Sequence, residues 1–188
     1  MSIVTALAGM LFCAVGAARA ADEYAFDPVH SSISFKARHL DISWIHGRFN
    51  EADGKFAIDK KDPSKSWFQF SIKVDSVDTA NKTRDEHLLQ PDYFDSKQFP
   101  TIDFKSTSVK AVKGGGYEVT GDFTMHGETK QVTLTLDGGK EAEFMGTKRV
   151  GFSTQLSLKR SDFGFDKKQI GLIGDEALIY IDFEGARK

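Results

Sequence analysis

Apolar and polar side chains alternate along several short stretches of this chain. The stretches Ser32–Ala37 and Phe68–Val74 show the alternation most clearly, because every second residue in them is apolar. A period of two places alternate side chains on one face, as in β-strands that bury one side. The 16 phenylalanines fall largely in such stretches, so the pattern indicates a β-protein with an aromatic interior.

Stretches of this kind recur over most of the chain. They predict strands at about Tyr24–Phe26, Ser31–His39, Gly47–Asn50, Lys55–Ile58, Trp67–Val77, Thr101–Val112, Tyr117–Met125, Gln131–Leu136, Val150–Leu158 and Glu176–Phe183. Turn signals for hairpins stand at Asp53-Gly54, Gly114–Gly116, His126-Gly127 and Asp137–Gly139. The series predicts an all-β fold, an antiparallel barrel or sandwich in which strands adjacent in sequence pair.

The segment 78–99 interrupts the alternation. Thr83 and Glu86 match the T-x-x-E capping box that begins helices, and Pro91 favours an early end. The sequence therefore predicts a short helix over Arg84–Gln90, placed to cover one end of a barrel. About eight strands close such a barrel, and its interior is either filled by side chains or holds one ligand. The alternation of side chains does not distinguish a filled interior from one that holds a ligand.

The first twenty residues differ in character from the rest. Ile3–Ala18 is almost wholly apolar, and Ala18-Arg19-Ala20 has the small-x-small pattern that signal peptidase cleaves. We expect a signal peptide over residues 1–20 and one domain over residues 21–188; a short membrane anchor is the alternative for the apolar segment. Cys13, the single cysteine, lies in that segment, so no disulfide is expected in the mature protein. No later stretch predicts a membrane span.

Charge and motifs exclude several function classes. The formal net charge is −2, and the lysines are interspersed with acids, which argues against a nucleic-acid-binding surface. The histidines lack the spacing of a zinc site, and no nucleophile elbow or phosphate-binding glycine loop is present in the sequence. We therefore expect no metal, no cofactor and no catalytic residues.

One dense polar cluster remains at Arg84–His87. It is either a rim that holds the head group of an amphiphile, formed by Arg84, Asp85 and His87, or an ion-paired helix surface. An alternative function follows from the same cluster. His87 with Asp85 or Glu86 could serve as acid and base in a hydrolase-like enzyme acting on a small exported substrate.

Several ordered blocks span Ala21–Lys188. They are Asp27–Ser31, Val74–Thr79, Arg84–Leu88 running into Asp92–Asp95 and Phe99-Pro100, Gly121–Gly127 with Lys130 and Val132, and Arg160–Gly164. In these blocks the chain resembles the YceI-like proteins, also called polyisoprenoid-binding proteins.

The resemblance implies a lipocalin-like, extended antiparallel eight-stranded β-barrel with a short helix near one end. It also implies a periplasmic, non-catalytic protein whose apolar cavity carries or sequesters a long-chain isoprenoid or similar amphiphile. The sequence is also compatible with a homodimer. Strand parity then predicts the cavity wall: Ile33, Phe35, Phe49, Phe68, Phe70, Ile72, Ile102, Phe104, Phe123, Phe152 and Ile181.

Overall fold

The computed structural model of the protein describes residues 21–165 and 171–188, most of which lie in β-strands. Residues 1–20, where the sequence predicts a signal peptide, lie outside the described residues. Within the described ranges, no helix is both long and apolar enough to cross a membrane.

In the described part of the chain the strands follow one another, with one α-helix between the fifth and the sixth. They are β1 (Asp22–His39), β2 (Ser43–Phe49), β3 (Ala52–Ile58), β4 (Trp67–Lys73), β5 (Val77–Asp78), β6 (Thr101–Ala111), β7 (Tyr117–Met125), β8 (Glu128–Phe144), β9 (Thr147–Lys159) and β10 (Ile173–Arg187). The helix α1 spans Lys82–Leu88, and short 3-10 turns span Pro63–Lys65, Val74–Ser76 and Arg160–Phe163.

Eight of these strands close a barrel. Their order around it is β1-β3-β4-β6-β7-β8-β9-β10, and β10 pairs again with β1. The pairings are antiparallel. The predicted all-β class and the eight-stranded antiparallel barrel are therefore confirmed.

Strand β1 is long enough to pair with two strands on the same side. Asp22–Ala25 pairs with β3, and Ile33–His39 pairs with β2, which in turn pairs with β5. Strands β2 and β5 thus lengthen the barrel at one end, which we call the upper end. The chain's last residue meets the start of β1 at the lower end, where the amide of Lys188 donates to the carbonyl of Glu23.

Strand β8 changes its partner along its length. Residues up to Leu136 pair with β7, and residues from Asp137 pair with β9, which separates the upper parts of β8 and β9. The 3-10 turn Arg160–Phe163 contacts both strands. Its Phe163 is buried and packs against Phe123 with ring centroids 5.6 Å apart. This turn therefore fills the separation with an apolar ring.

Two of the predicted hairpin turns are wrong. Asp53-Gly54 lies inside β3, where a side chain on Gly54 would collide with Phe70, so the glycine serves close packing. Gly138 and Gly139 lie inside β8 at a register shift, with positive φ angles of 120° and 83°. That geometry is a β-bulge, which uses the same glycine chemistry as a turn without reversing the chain.

The helix begins earlier than the sequence indicates. It spans Lys82–Leu88 rather than Arg84–Gln90, and the side chain of Asn81 caps it by accepting from the amide of Arg84 at 3.0 Å. The predicted capping box at Thr83 is therefore wrong. Asn is as good an N-cap as Thr, and it stands two residues earlier. At the end of the helix and beyond it, Leu88, Leu89 and Phe94 pack on the barrel core, so this segment covers the upper end.

Candidate functional site

The barrel encloses two cavities that lie end to end. The upper chamber has a volume of about 160 Å³ and lies between the barrel and the segment that carries α1. The lower chamber, of about 60 Å³, lies deeper in the barrel. They share a ring of wall residues, which we call the waist: Ile33, Ile72, Ile102, Phe123 and Ile181. A chain entering the upper chamber would reach the lower one by passing this apolar ring.

Packed aromatic rings close the barrel beyond the lower chamber. Phe56 is fully buried and stacks on Tyr24 and Phe68, with ring centroids 5.2 and 5.4 Å apart. Phe183 and Phe152 meet Phe56 edge-on at 5.5 and 6.0 Å. These offset and edge-to-face contacts fill the space that a hollow barrel would leave. The interior is thus solid at its lower end and hollow above.

The structure places ten of the eleven residues predicted for the wall on a chamber. Phe35 and Phe49 line the upper chamber, Phe68, Phe70 and Phe104 line the lower one, and Ile33, Ile72, Ile102, Phe123 and Ile181 form the waist. Phe152 lies instead in the aromatic cluster, outside both walls. Contact between these residues and a ligand remains a prediction.

Of the three predicted rim residues, Arg84 and His87 line the upper chamber and Asp85 does not, and the side chains of all three contact other protein groups. Arg84 lines this chamber, and its guanidinium donates to the hydroxyl and the carbonyl of Thr79 at 2.7 and 2.6 Å. Asp85 accepts from the amide of Thr79 at 2.8 Å. These contacts fasten the start of α1 to the end of β5.

The acid–base pair proposed for an enzyme is not assembled in the described part of the chain. The imidazole of His87 lies 3.3 Å from the carboxylate of Asp92, and its ring meets Tyr93 edge-on at 4.8 Å. Asp85 is directed to Thr79 instead, and the carboxylate of Glu86 lies 3.8 Å from the amine of Lys82. His87 does line the upper chamber, but its walls are mainly apolar and bring no second carboxylate beside it.

Arg160 is a site residue that the sequence reasoning missed. It lines the upper chamber although it is only 7% exposed, and burial lowers the pKa of its guanidinium. One of its terminal nitrogens donates to the carbonyls of Ile173 and Gly174 at 2.9 and 3.2 Å, and the group lies over the ring of Phe165. No periodic pattern marks a buried arginine in a turn. The feature of the sequence that pointed to this residue is the block Arg160–Gly164, one of those shared with the YceI-like proteins.

A polar cluster outside the barrel has the composition of a metal site but is neutralised by an arginine. One oxygen of Asp27, one of Glu184 and a ring nitrogen of His30 lie within 4.8 Å of one another. Arg149 forms ion pairs with Asp27 and, at 3.4 Å, with Glu184. Hydrogen bonds from Arg149 and His30 hold the pKa of Asp27 well below its usual range. The guanidinium thus supplies the positive charge that a metal ion would bring.

Comparisons with known proteins agree with this architecture. A family model described as the YceI-like domain matches residues 24–185. A UPF0312 protein of Pseudomonas aeruginosa is 39% identical over 186 residues, which cover 97% of this chain and 95% of that protein. Protein YceI of Escherichia coli O157:H7 is 36% identical over 184 residues, covering 96% of this chain and 94% of that one.

Solved structures share the barrel. Burkholderia cenocepacia BcnA superposes with a TM-score of 0.73 at 26% identity, covering 85% of this chain and 98% of that chain. The Campylobacter jejuni YceI protein gives 0.71 at 31% identity, covering 80% and 90%. A polyisoprenoid binding domain from Saccharophagus degradans has the same fold, with a TM-score of 0.67 at 16% identity over 88% and 98%. The family match over residues 24–185 confirms the resemblance, and the chain belongs to the YceI-like family.

Proposed function

We propose that this protein binds a long-chain isoprenoid or similar amphiphilic lipid in its two chambers, and carries or sequesters it without catalysis. The apolar character of the walls carries the proposal. In the lower chamber, Thr154 and Asp103 are the polar members of an otherwise apolar lining. Removing apolar surface from water contributes roughly 25 cal/mol per Å², so a hydrocarbon chain is held without specific bonds.

The size of the cavity sets how the lipid is accommodated. A cavity of about 150 Å³ takes a benzene-sized molecule. The upper chamber, at about 160 Å³, therefore holds about one isoprene unit as it stands. A longer chain requires that wall side chains turn aside or that its end extends past the upper end. Phe35 and Phe94 are partly exposed and lie on this chamber, so their rings are placed to move.

The family supports the same class of ligand. The Saccharophagus degradans structure that shares this fold is named as a polyisoprenoid binding domain. We extend that class of ligand to this chain because its own cavity is apolar and elongated. We also propose that the protein acts in the periplasm after removal of residues 1–20. Expression of the full chain in a Gram-negative cell, followed by fractionation and N-terminal sequencing, should give a periplasmic protein that starts at Ala21.

Native mass spectrometry tests the binding proposal. Purified protein should retain an amphiphile that organic extraction removes, and the delipidated protein should take up one molecule of an added prenol or prenyl quinone. A protein that carries no lipid and takes up neither compound at micromolar concentrations would exclude the function. The added prenol or prenyl quinone should keep its mass while it is bound, which the same spectra report.

A further inference from the structure

The lower chamber contains a hydroxyl group that has no hydrogen-bond partner among the described residues. It belongs to Thr154 on β9, which is 8% exposed, and its Oγ1 atom is fully buried. Thr154 lines the lower chamber, and it alternates along the strand with exposed residues, so its side chain faces inward. A buried polar group without a partner costs free energy, and in a native protein it calls for an explanation.

Two other hydroxyls of this strand show that its geometry does not prevent hydrogen bonding. Ser153 donates to Asp182 at 2.6 Å, and Ser157 donates to Glu176 at 2.6 Å, both across to β10. These serines lie on the outer face. Thr154 is flanked on the inner face by Phe152 and Leu156, which offer no acceptor. The hydroxyl of Thr154 therefore lacks a partner because the walls of the lower chamber around it are apolar.

A trapped water satisfies this hydroxyl poorly. A chamber of about 60 Å³ has room for one, but a buried water is held by two to four polar groups. Asp103 is the other polar wall residue, but it alternates on β6 with the inward-facing Ile102 and Phe104, so its carboxylate points to the outer face, where it accepts from the hydroxyl of Thr101 at 2.7 Å. An oxygen atom attached to a ligand needs no such cage, because the apolar walls hold the chain that carries it.

The polar side chains at the upper chamber are already bonded to other protein groups and are therefore less available to a ligand. Arg84 and Asp85 bind Thr79, His87 lies beside Asp92, and Arg160 donates to two backbone carbonyls. The unpartnered hydroxyl of Thr154, in contrast, lies at the deep end of the cavity, away from the predicted rim.

We propose that Thr154 forms a hydrogen-bonding subsite for a neutral oxygen group of the ligand, a hydroxyl or a carbonyl, which enters the barrel first. The proposal rests on the proposed function. An anionic head group is disfavoured at this subsite because none of the described residues that line the lower chamber has a cationic side chain. The predicted ligand is accordingly a lipid whose polar end is an alcohol, a ketone or a quinone, with its tail directed to the upper end.

Two ligands that differ by one hydroxyl test this subsite. Hexahydrofarnesol and farnesane share a branched carbon skeleton, and only the first carries an oxygen. Their affinities are measured by displacement of the neutral probe N-phenyl-1-naphthylamine from delipidated full-length protein. Thr154→Val should weaken binding of the alcohol about tenfold and leave the hydrocarbon bound as tightly or more tightly. Thr154→Ser, which keeps the hydroxyl, should retain the preference for the alcohol.

A second measurement guards against a folding artefact. Because Thr154→Val removes an unsatisfied buried hydroxyl, the ligand-free variant should melt at the same or a higher temperature than the wild type. Equal changes for both ligands, or a Val variant that still prefers the alcohol, would overturn the subsite while leaving lipid binding intact. A wild-type protein that binds neither ligand would instead remove the proposed function, and the subsite with it.

Discussion

Thr79 and Asp85 are joined by two hydrogen bonds, because the backbone amide and the hydroxyl of Thr79 both donate to one carboxylate oxygen of Asp85. Arg84 donates to the same threonine through two nitrogens. Thr79 is almost fully buried. A short stretch of chain is thereby held by charge-assisted hydrogen bonds at the place where β5 leads into the segment covering the upper chamber.

Asp85→Asn should loosen this cover. The amide cannot match a carboxylate that accepts two hydrogen bonds, and hydrogen bonds to charged groups are worth about 1.5–3 kcal/mol. We expect faster amide hydrogen exchange over residues 79–94 and faster release of a bound prenol. Glu86→Gln is the matched control, since Glu86 is exposed on the same helix and pairs with Lys82 only at 3.8 Å. Equal exchange rates in the two variants would contradict a role for the Thr79–Asp85 contact.

Ile102→Trp should shorten the usable cavity. Ile102 belongs to the waist and faces Ile72 across two paired strands. An indole there blocks the path to the lower chamber. Hexahydrofarnesol would then bury about two methylene groups fewer, at about 0.8 kcal/mol each. We therefore expect it to bind roughly tenfold more weakly. Binding of the shorter hydrocarbon 2,6-dimethyloctane, which has no hydroxyl to place beside Thr154 and can remain above the waist, should change little.

The control for this variant is Ile42→Trp, the same substitution at a position that is 77% exposed on the β1–β2 connection. It should leave both affinities unchanged. If the two variants bind hexahydrofarnesol equally well, the waist does not lie on the ligand's path.

The alternation of side chains predicts which residues face inward, because a period of two is a local property of the strand. Ile72 and Ile102, and Phe104 and Phe123, are direct partners across the sheet and share one face, as their parity requires. Whether facing rings meet or leave a cavity depends on how far the strands around the barrel stand apart. Local pattern does not contain that distance. The same parity places Phe152 inward, but the rings of Phe56 on β3 and Phe183 on β10 occupy the space in front of it.

Glycines and polar residues explain most of what the pattern missed. Asp137–Gly139 has turn chemistry, and its use as a bulge depends on the pairing of β8 with both neighbours. The parity of Thr154 is readable from the sequence, but its lack of a partner depends on residues distant along the chain. Arg160 is buried where it meets Phe165 and the start of β10. These features arise from contacts between strands, which a single sequence does not display.

Gly185→Ala should destabilise the aromatic cluster at the lower end. A Cβ atom at Gly185 would lie 2.4 Å from the ring of Phe56 and 2.9 Å from Cβ of Tyr24. Phe56 is fully buried and cannot turn aside, so overpacking should cost about 1–3 kcal/mol in the free energy of unfolding. Gly151→Ala is the control on the neighbouring strand, because its Cβ would meet atoms no closer than 3.5 Å. Urea titration of both variants should show a lower midpoint for the first alone.

The ion pair between Asp27 and Arg149 should make the protein sensitive to acid. Hydrogen bonds from Arg149, His30 and the amide of Val29 hold the pKa of the Asp27 carboxyl well below its usual range. The unfolded chain, in which this carboxyl has an ordinary pKa of about 4, therefore takes up the proton first as the pH falls. The stabilisation is complete above that pH and is lost progressively below it.

Asp27→Asn should therefore lower the free energy of unfolding at pH 7 by about 1.5–3 kcal/mol, since it removes the charged acceptor of several hydrogen bonds. Between about pH 5 and pH 2 its urea midpoint should fall less steeply than that of the wild type, because the variant has no proton to take up at this position. Asp122→Asn, at an exposed position on β7, should keep the wild-type slope. Urea is preferred to a guanidinium salt because added ions would screen the pair. Parallel curves for Asp27→Asn and the wild type would show that Arg149 stabilises the charged carboxylate no more in the folded protein than water does in the unfolded chain.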